Sequence, residues 1–228
     1  MNEQVPIRTR SWLFTPATRP ERFAKAAETG ADVLLIDLED AVAPCDKAAA
    51  RTTALDYLAG LRAGTLRALR INGLDTRAGI ADLDALLGSA ASPDFLVLPK
   101  TETAGHLQIL DRLLTAVGKA TRLVGLIESA RGLAALEAIS TATPRLAGLM
   151  FGAADMSADL GAATAWQPLA YARGRLIAVC ALADILAIDS PFFELHDEAG
   201  LKQEVTAAVA VASENSIHLT RGHRRIRT

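Results

Sequence analysis

Val124-Gly-Leu-Ile-Glu128-Ser-Ala-Arg-Gly132 and, after a helical interval, Leu146-Ala-Gly-Leu-Met-Phe-Gly-Ala-Ala-Asp155 are the two stretches from which the fold is read. Each is a short apolar run, Leu123 to Ile127 and Leu146 to Phe151, that ends in small residues and one carboxylate. A buried parallel strand delivers a functional group to its C-terminal end in this way. If the two runs are neighbouring strands about 5 Å apart, Glu128 and Asp155 emerge side by side. Two hard oxygen ligands at that separation suit a Mg²⁺ ion that keeps its other positions for water and substrate. The alternative reading makes them an N-cap and a turn carboxylate on unrelated strands.

Working outward, the same strand–helix unit recurs. Ser11 to Pro16 reads as a first strand, followed by an amphipathic helix opened at Arg19-Pro20-Glu21-Arg22 and capped by Gly30. Asp32 to Asp37 is a continuous apolar strand running into Glu39 and Asp40, and Lys47 to Leu61 is helical in pattern. Leu66 to Ile71, Phe95 to Lys100, Leu123 to Ile127, Leu146 to Phe151 and Ile185 to Pro191 supply further strands. Helices are expected over Gly79–Leu87, Ala104–Val117, Leu133–Ile139, Pro168–Ala183 and Glu198–Val211, with a Gly- and Ala-rich loop after Asp155. Residues from about 213 to 228 read as an irregular, basic tail offering at best a short strand at Ile217-His-Leu219.

Regular alternation implies a parallel sheet with right-handed crossovers. A doubly wound sheet is the rival, but no Gly-rich phosphate fingerprint follows the first strand. Polar residues at the ends of five strands converge more readily around a ring. The expected fold is therefore a single-domain TIM (β/α)₈ barrel over residues 1–228, with its eighth unit shortened or irregular and its site at the C-terminal face.

Composition narrows the function. The chain has 228 residues, 50% of them hydrophobic, and a net charge of −2. With an isoelectric point near 6.1, there is no field to hold nucleic acid or anionic lipid. No apolar run approaches the roughly 18 residues of a membrane span. Two cysteines without metal-type spacing and no signal-peptide core favour a cytoplasmic protein.

Arg70 lies at the end of the Leu66–Ile71 strand, so its planar fork can reach a substrate carboxylate at the barrel mouth or form a structural ion pair with Glu39 or Asp40. Alternation puts Asp37 and Glu39 on one side and Asp40 on the other. One of these can orient Arg70, the others can cap the next helix, and Glu39 and Asp40 stand with Arg70 as catalytic candidates. Gly152, Ala153 and Ala154 offer small side chains and backbone N–H groups to an oxyanion, or simply tight packing. Arg19, Arg22 and Lys25 lie near one helix face, as phosphate-gripping groups or as a solvated surface. Lys100 is a Schiff-base candidate, although a metal and a Schiff base are alternative ways to stabilise one carbanion. His106, His196, His218 and His223 have no ligand-like partners in sequence.

With these residues in place, the chain resembles the citrate lyase β-subunit-like family within the HpcH/HpaI aldolase and malyl-CoA lyase group. The resemblance rests on Arg10-Ser-Trp-Leu-Phe-Thr-Pro-Ala, Arg19-Pro-Glu-Arg-Phe, Asp37-Leu-Glu-Asp-Ala-Val, Lys47 with Arg51, Leu69-Arg-Ile-Asn, Leu98-Pro-Lys-Thr-Glu, Ile127-Glu-Ser-Ala-Arg-Gly, Phe151-Gly-Ala-Ala-Asp and Ala187-Ile-Asp-Ser-Pro, in family order. It implies a (β/α)₈ barrel in which Glu128 and Asp155 bind Mg²⁺, Arg70 holds the carboxylate of a small 2-oxo acid, and the basic residues Arg19, Arg22 and Lys25 meet coenzyme A. The implied reaction is cleavage of a 3-hydroxyacyl thioester such as citryl-, malyl- or citramalyl-CoA, in a homo-oligomer, a trimer or hexamer. Two alternatives remain at this point. One is a class II aldolase on 4-hydroxy-2-oxo acids; the other is a non-catalytic protein that binds metal and 2-oxo acid. The family's Gly-Lys strand and Ile-His-Pro turn are not matched at Ile217-His218-Leu219, which puts barrel closure, a covering segment and the general base in question.

Overall fold

A computed structural model describes residues 9–60, 64–192, 197–211 and 216–220. Eight parallel strands close in sequence order: β1 (Ser11–Pro16), β2 (Val33–Asp37), β3 (Leu66–Arg70), β4 (Phe95–Leu98), β5 (Arg122–Ile127), β6 (Leu146–Phe151), β7 (Leu186–Phe192) and β8 (Ser216–Thr220). This is the TIM-type barrel expected from the alternation. The eighth strand is longer than Ile217–Leu219 and closes the ring, with Ser11 opposite His218 and Leu13 opposite Thr220. The rest of the expected irregular tail, with His223, lies outside the described residues, as does His196.

The helices are α1 (Phe23–Glu28, after a 3₁₀ turn at Pro20–Arg22), α2 (Lys47–Ala59), α3 (Arg77–Gly88), α4 (Ala104–Ala116), α5 (Ala130–Ala134), α6 (Leu136–Ser140), α7 (Ala153–Leu160), α8 (Trp166–Ala183) and α9 (Glu198–Val211). Two expectations are corrected. The helix read at Leu133–Ile139 is two short helices meeting at Ala135. The loop read after Asp155 is helix α7, which contains Asp155 and ends at Gly161 in the left-handed conformation, φ 63°. Its run of Ala, Met and Leu has good helix propensity, and only Gly161 breaks it.

Side-chain alternation sorts each strand into two layers. Trp12, Val33, Leu35, Ala68, Phe95, Val97, Val124, Leu126, Met150 and Ile188 fill the barrel interior. The intervening positions, among them Leu34, Ile36, Leu69, Leu96, Leu98, Leu123 and Ile127, pack outward under the helices. Continuing the inward series by one step past the apolar layers gives Asp37 after Leu35, Arg70 after Ala68 and Glu128 after Leu126. The period of two thus carries these ionisable groups to the mouth of the barrel.

The loops around that mouth are pinned by a buried polar network. Asp82 of α3, 1% exposed, accepts hydrogen bonds from the backbone N–H of Asn72 at 2.9 Å, from Asn72 Nδ2 at 2.6 Å and from Arg51 Nε at 2.7 Å. Lys47 Nζ donates to Asn72 Oδ1 at 2.6 Å and to the carbonyls of Leu38 and Glu39 at 3.0 Å each. Replacing Asp82 by Ala strips Arg51 and Asn72 of their acceptor, and should cost about 3–5 kcal/mol in urea denaturation; a loss below about 1 kcal/mol would contradict this account.

Candidate active site at the barrel mouth

The register Asp37↔Arg70 between β2 and β3 sets the two residues side by side. Arg70 Nε donates to Asp37 Oδ1 and Nη2 to Asp37 Oδ2, both at 2.7 Å, a two-pronged pair buried beneath the mouth. Asp37 also accepts the N–H of Glu39 at 2.9 Å on Oδ1 and that of Ala41 at 3.3 Å on Oδ2. All its lone-pair directions are therefore used, and it orients Arg70 instead of serving a ligand. Arg70 also lies over the Phe14 ring, 5.2 Å from its centroid. Burial lowers the guanidinium's pKa, but the Asp37 charge and hydrogen bonds outweigh it and the net shift is upward.

Arg70 Nη1 remains for the mouth, 2.8 Å from Glu39 Oε2 and 3.8 Å from Asp40 Oδ2. The Glu39 contact has ion-pair distance but not hydrogen-bond alignment, leaving that buried oxygen without a hydrogen-bond partner. Asp40 is largely exposed. Burial first, then the charges of Asp40 and Asp37, raise the Glu39 pKa to about 7 against the pull of Arg70.

Across the mouth, Glu128 is 6% exposed and its Oε1 accepts the N–H of Lys100 at 2.8 Å. Its pKa is raised to about 8, chiefly by burial, then by the Glu39 charge and, more weakly, by Asp155. Gly152 makes room for it: a β-carbon there would lie 2.6 Å from both Glu128 Cβ and Oε2. Glu128 and Asp155 do come from adjacent strand units, as their sequence setting suggested. Asp155 stands on the first turn of α7, however, and not at the end of β6.

Lys100 reaches over Asp155, with Nζ 3.9 Å from Oδ2. Partial burial lowers its pKa, but Asp155 and Glu128 more than offset this and the net shift is upward. A firmly protonated ammonium is the opposite of a Schiff-base nucleophile. Five carboxyl groups (Asp37, Glu39, Asp40, Glu128 and Asp155) thus surround two cations, Arg70 and Lys100.

The remaining candidates fall out as follows. The N–H of Gly152 donates to the Ile127 carbonyl at 3.0 Å and that of Ala153 to Ser190 Oγ at 3.1 Å. These two donors are consumed in mounting α7, so Gly152, Ala153 and Ala154 form a helix entry and not the open donor turn expected. Arg19, Arg22 and Lys25 are exposed on and after the β1–α1 loop, with Arg22 3.9 Å from Glu21. His106 Nδ1 takes a long bond of 3.5 Å from the Glu102 N–H. Sequence reasoning left open which carboxylate holds Arg70, although the inward parity of Asp37 and Arg70 identifies the pair. It gave no role to Asp82, whose helical position carries no local sign of its three acceptor contacts. Among the described residues, no group of three or more His, Cys, Asp and Glu side chains could hold a metal by itself.

A closed parallel barrel with its ionisable groups gathered at the C-terminal mouth is an architecture shared by many enzymes. The profile of the HpcH/HpaI aldolase/citrate lyase family matches residues 10–219, and the chain belongs to that family. Among its relatives, the L-malyl-CoA/beta-methylmalyl-CoA lyase of Cereibacter sphaeroides is 34% identical over 92% of this chain and 75% of its own. The crystal structure of RipC from Yersinia pestis is 53% identical, with a TM-score of 0.83 over 95% of this chain and 90% of that one. CitE from Mycobacterium tuberculosis, solved with magnesium, acetoacetate and coenzyme A, is 33% identical, with a TM-score of 0.80 over 94% of this chain and 76% of that one.

The raised pKa values set a pH dependence. Between the ordinary carboxylate value of 4.5 and about 8, folded Glu128 holds a proton that the unfolded chain has released. Stability of the metal-free protein therefore falls as pH rises through that window. Urea denaturation in chelator should show this slope, and Glu128→Gln should remove its upper part; a stability that rises with pH in both proteins would refute it.

Proposed function

We propose that this chain is a Mg²⁺-dependent carbon–carbon lyase that cleaves a 3-hydroxyacyl thioester, of citryl-, malyl- or citramalyl-CoA type, to a 2-oxo acid and an acyl thioester. The observation that carries this reading is the mouth itself: Arg70 clamped by Asp37 with its Nη1 edge ion-paired to Glu39, in the same barrel mouth as Glu128 and Asp155. The donor set fits the metal. A buried carboxylate pushed up to about 8 and cradled by Gly152, a second carboxylate beside it, and an excess of negative charge all favour a hard divalent cation. Glu128 and Asp155 would hold it, and when bound it would polarise the oxygen on which negative charge develops.

The chain's own groups do the rest. Arg70 Nη1 holds the carboxylate of the 2-oxo acid moiety, in a direction fixed by Asp37, so that the breaking bond is aligned. Glu39, whose Oε2 is ion-paired to Arg70 without a hydrogen-bond partner and whose pKa is raised to about 7, takes the hydroxyl proton as the C–C bond breaks. Asp40, exposed beside it, relays that proton between Glu39 and solvent. The acyl thioester departs as its enolate, while the apolar floor of Phe14, Leu126 and Met150 keeps water from below. Ala153 and Ala154 shape the opposite wall at the start of α7. Arg19, Arg22 and Lys25 are exposed at and beyond the rim where coenzyme A phosphates would pass.

No described helix is long and apolar enough to cross a membrane. A cytoplasmic setting suits the two free cysteines, Cys45 exposed and Cys180 buried. Self-association as a homo-oligomer is supported by an exposed apolar stripe on α4, Ile109, Leu113 and Val117.

Calorimetric titration with oxaloacetate, glyoxylate and pyruvate, with and without Mg²⁺, tests the site, and cleavage of the three thioesters tests the reaction. Binding should require Mg²⁺ and vanish in Glu128→Gln and Asp155→Asn. Arg70→Lys should weaken 2-oxo acid binding by about 2 kcal/mol, because a point charge cannot replace the fork. Cleavage of 4-hydroxy-2-oxo acids but of no thioester would make the protein a class II aldolase. Mg²⁺-dependent binding without any turnover would make it a binding protein.

A further inference from the structure

Lys100 has an uncommon backbone. It follows β4 and Pro99 with φ +48°, in the left-handed region that L side chains seldom adopt. That conformation does two things at once. It aims the N–H at Glu128 Oε1, 2.8 Å away, and brings Nζ within 3.9 Å of Asp155 Oδ2. One residue thus contacts both carboxylates assigned to the metal, by its main chain on one side and its side chain on the other. The side chain is 53% exposed and carries no other ion-pair contact among the described residues, so it can swing away at little cost.

The geometry points to Lys100 as a tethered cation that stands in for Mg²⁺ when the site is empty and must be displaced when the metal enters. This rests on the assignment of Glu128 and Asp155 as the metal-holding pair and adds a positioning residue to it. The main-chain donor keeps Glu128 in place in both states, so only the ammonium moves. An unpaired carboxylate cluster would repel itself, and a mobile ammonium offsets that repulsion without closing the site. The consequence is competition: the protein's own cation weakens metal affinity.

The test is calorimetric titration of Mg²⁺ into metal-stripped protein, without substrate, for wild type, Lys100→Gly, Lys100→Met and Arg131→Met. Glycine suits a positive φ and keeps the N–H, so Lys100→Gly removes the ammonium with its stem but not the main-chain donor, while Lys100→Met keeps an apolar stem and loses only the charge. Arg131 is an exposed cation on α5, 3.3 Å from Glu102 and not in contact with the metal-holding carboxylates, and serves as a control for general charge loss. Both Lys100 variants should bind Mg²⁺ about fivefold more tightly, the scale expected for no longer having to break a unit-charge pair about 4 Å apart in water, with Arg131→Met unchanged. Equal or weaker affinity in both Lys100 variants, or an equal gain in Arg131→Met, overturns the inference while wild-type binding leaves the metal assignment intact. No Mg²⁺ binding by any of the four proteins overturns both.

Discussion

Everything at the mouth depends on the Asp37–Arg70 pair. Two charges buried together beneath the barrel mouth are stable only when their hydrogen bonds are nearly complete, and here they are. Asp37 spends every acceptor direction on Arg70 and on two loop N–H groups. The same contacts that fix the guanidinium therefore fix the turn that carries Glu39 and Asp40. Lys47 adds a second tie by holding the carbonyls of Leu38 and Glu39. The acid-bearing loop and the arginine are one mechanical unit, locked to β2 and β3.

The opposite wall is organised by space more than by charge. Glu128 is packed against Gly152 so closely that any side chain there would displace it. Between the two walls negative charge outweighs positive, and burial keeps water from relieving it at Asp37, Glu39 and Glu128, while Asp40 and Asp155 reach solvent. Such a cluster resolves it by holding protons or by holding a cation. In this structure burial raises the pKa of two of these groups, Glu39 to about 7 and Glu128 to about 8.

Much of this was legible from residue order. Strand–helix alternation pointed to the barrel, and the carboxylates after Ile127 and Phe151 marked adjacent units. Three things were not. The strand at Ser216–Thr220 has little apolar signature of its own and depends on β1 and β7 for partners, so local pattern undervalues it. Helix α7 follows so soon after β6 that its small residues read as a turn, and their N–H groups as open donors. Asp82 lies within an ordinary amphipathic helix, where nothing local distinguishes an exposed carboxylate from one at the centre of a network. In each case the deciding partner is distant in sequence.

Asp155 rides on a helix while Glu128 follows a strand, and this difference in mounting has a consequence for ion choice. Two ligands at strand ends are held at a spacing dictated by the ladder and can accept only one cation radius. Here α7 is anchored by hydrogen bonds from Gly152 to Ile127, from Ala153 to Ser190 and from Ala130 to its Asp159. If the proposed pair holds a metal, the gap between the two carboxylates is set by how α7 packs against its neighbours and not by the barrel ladder.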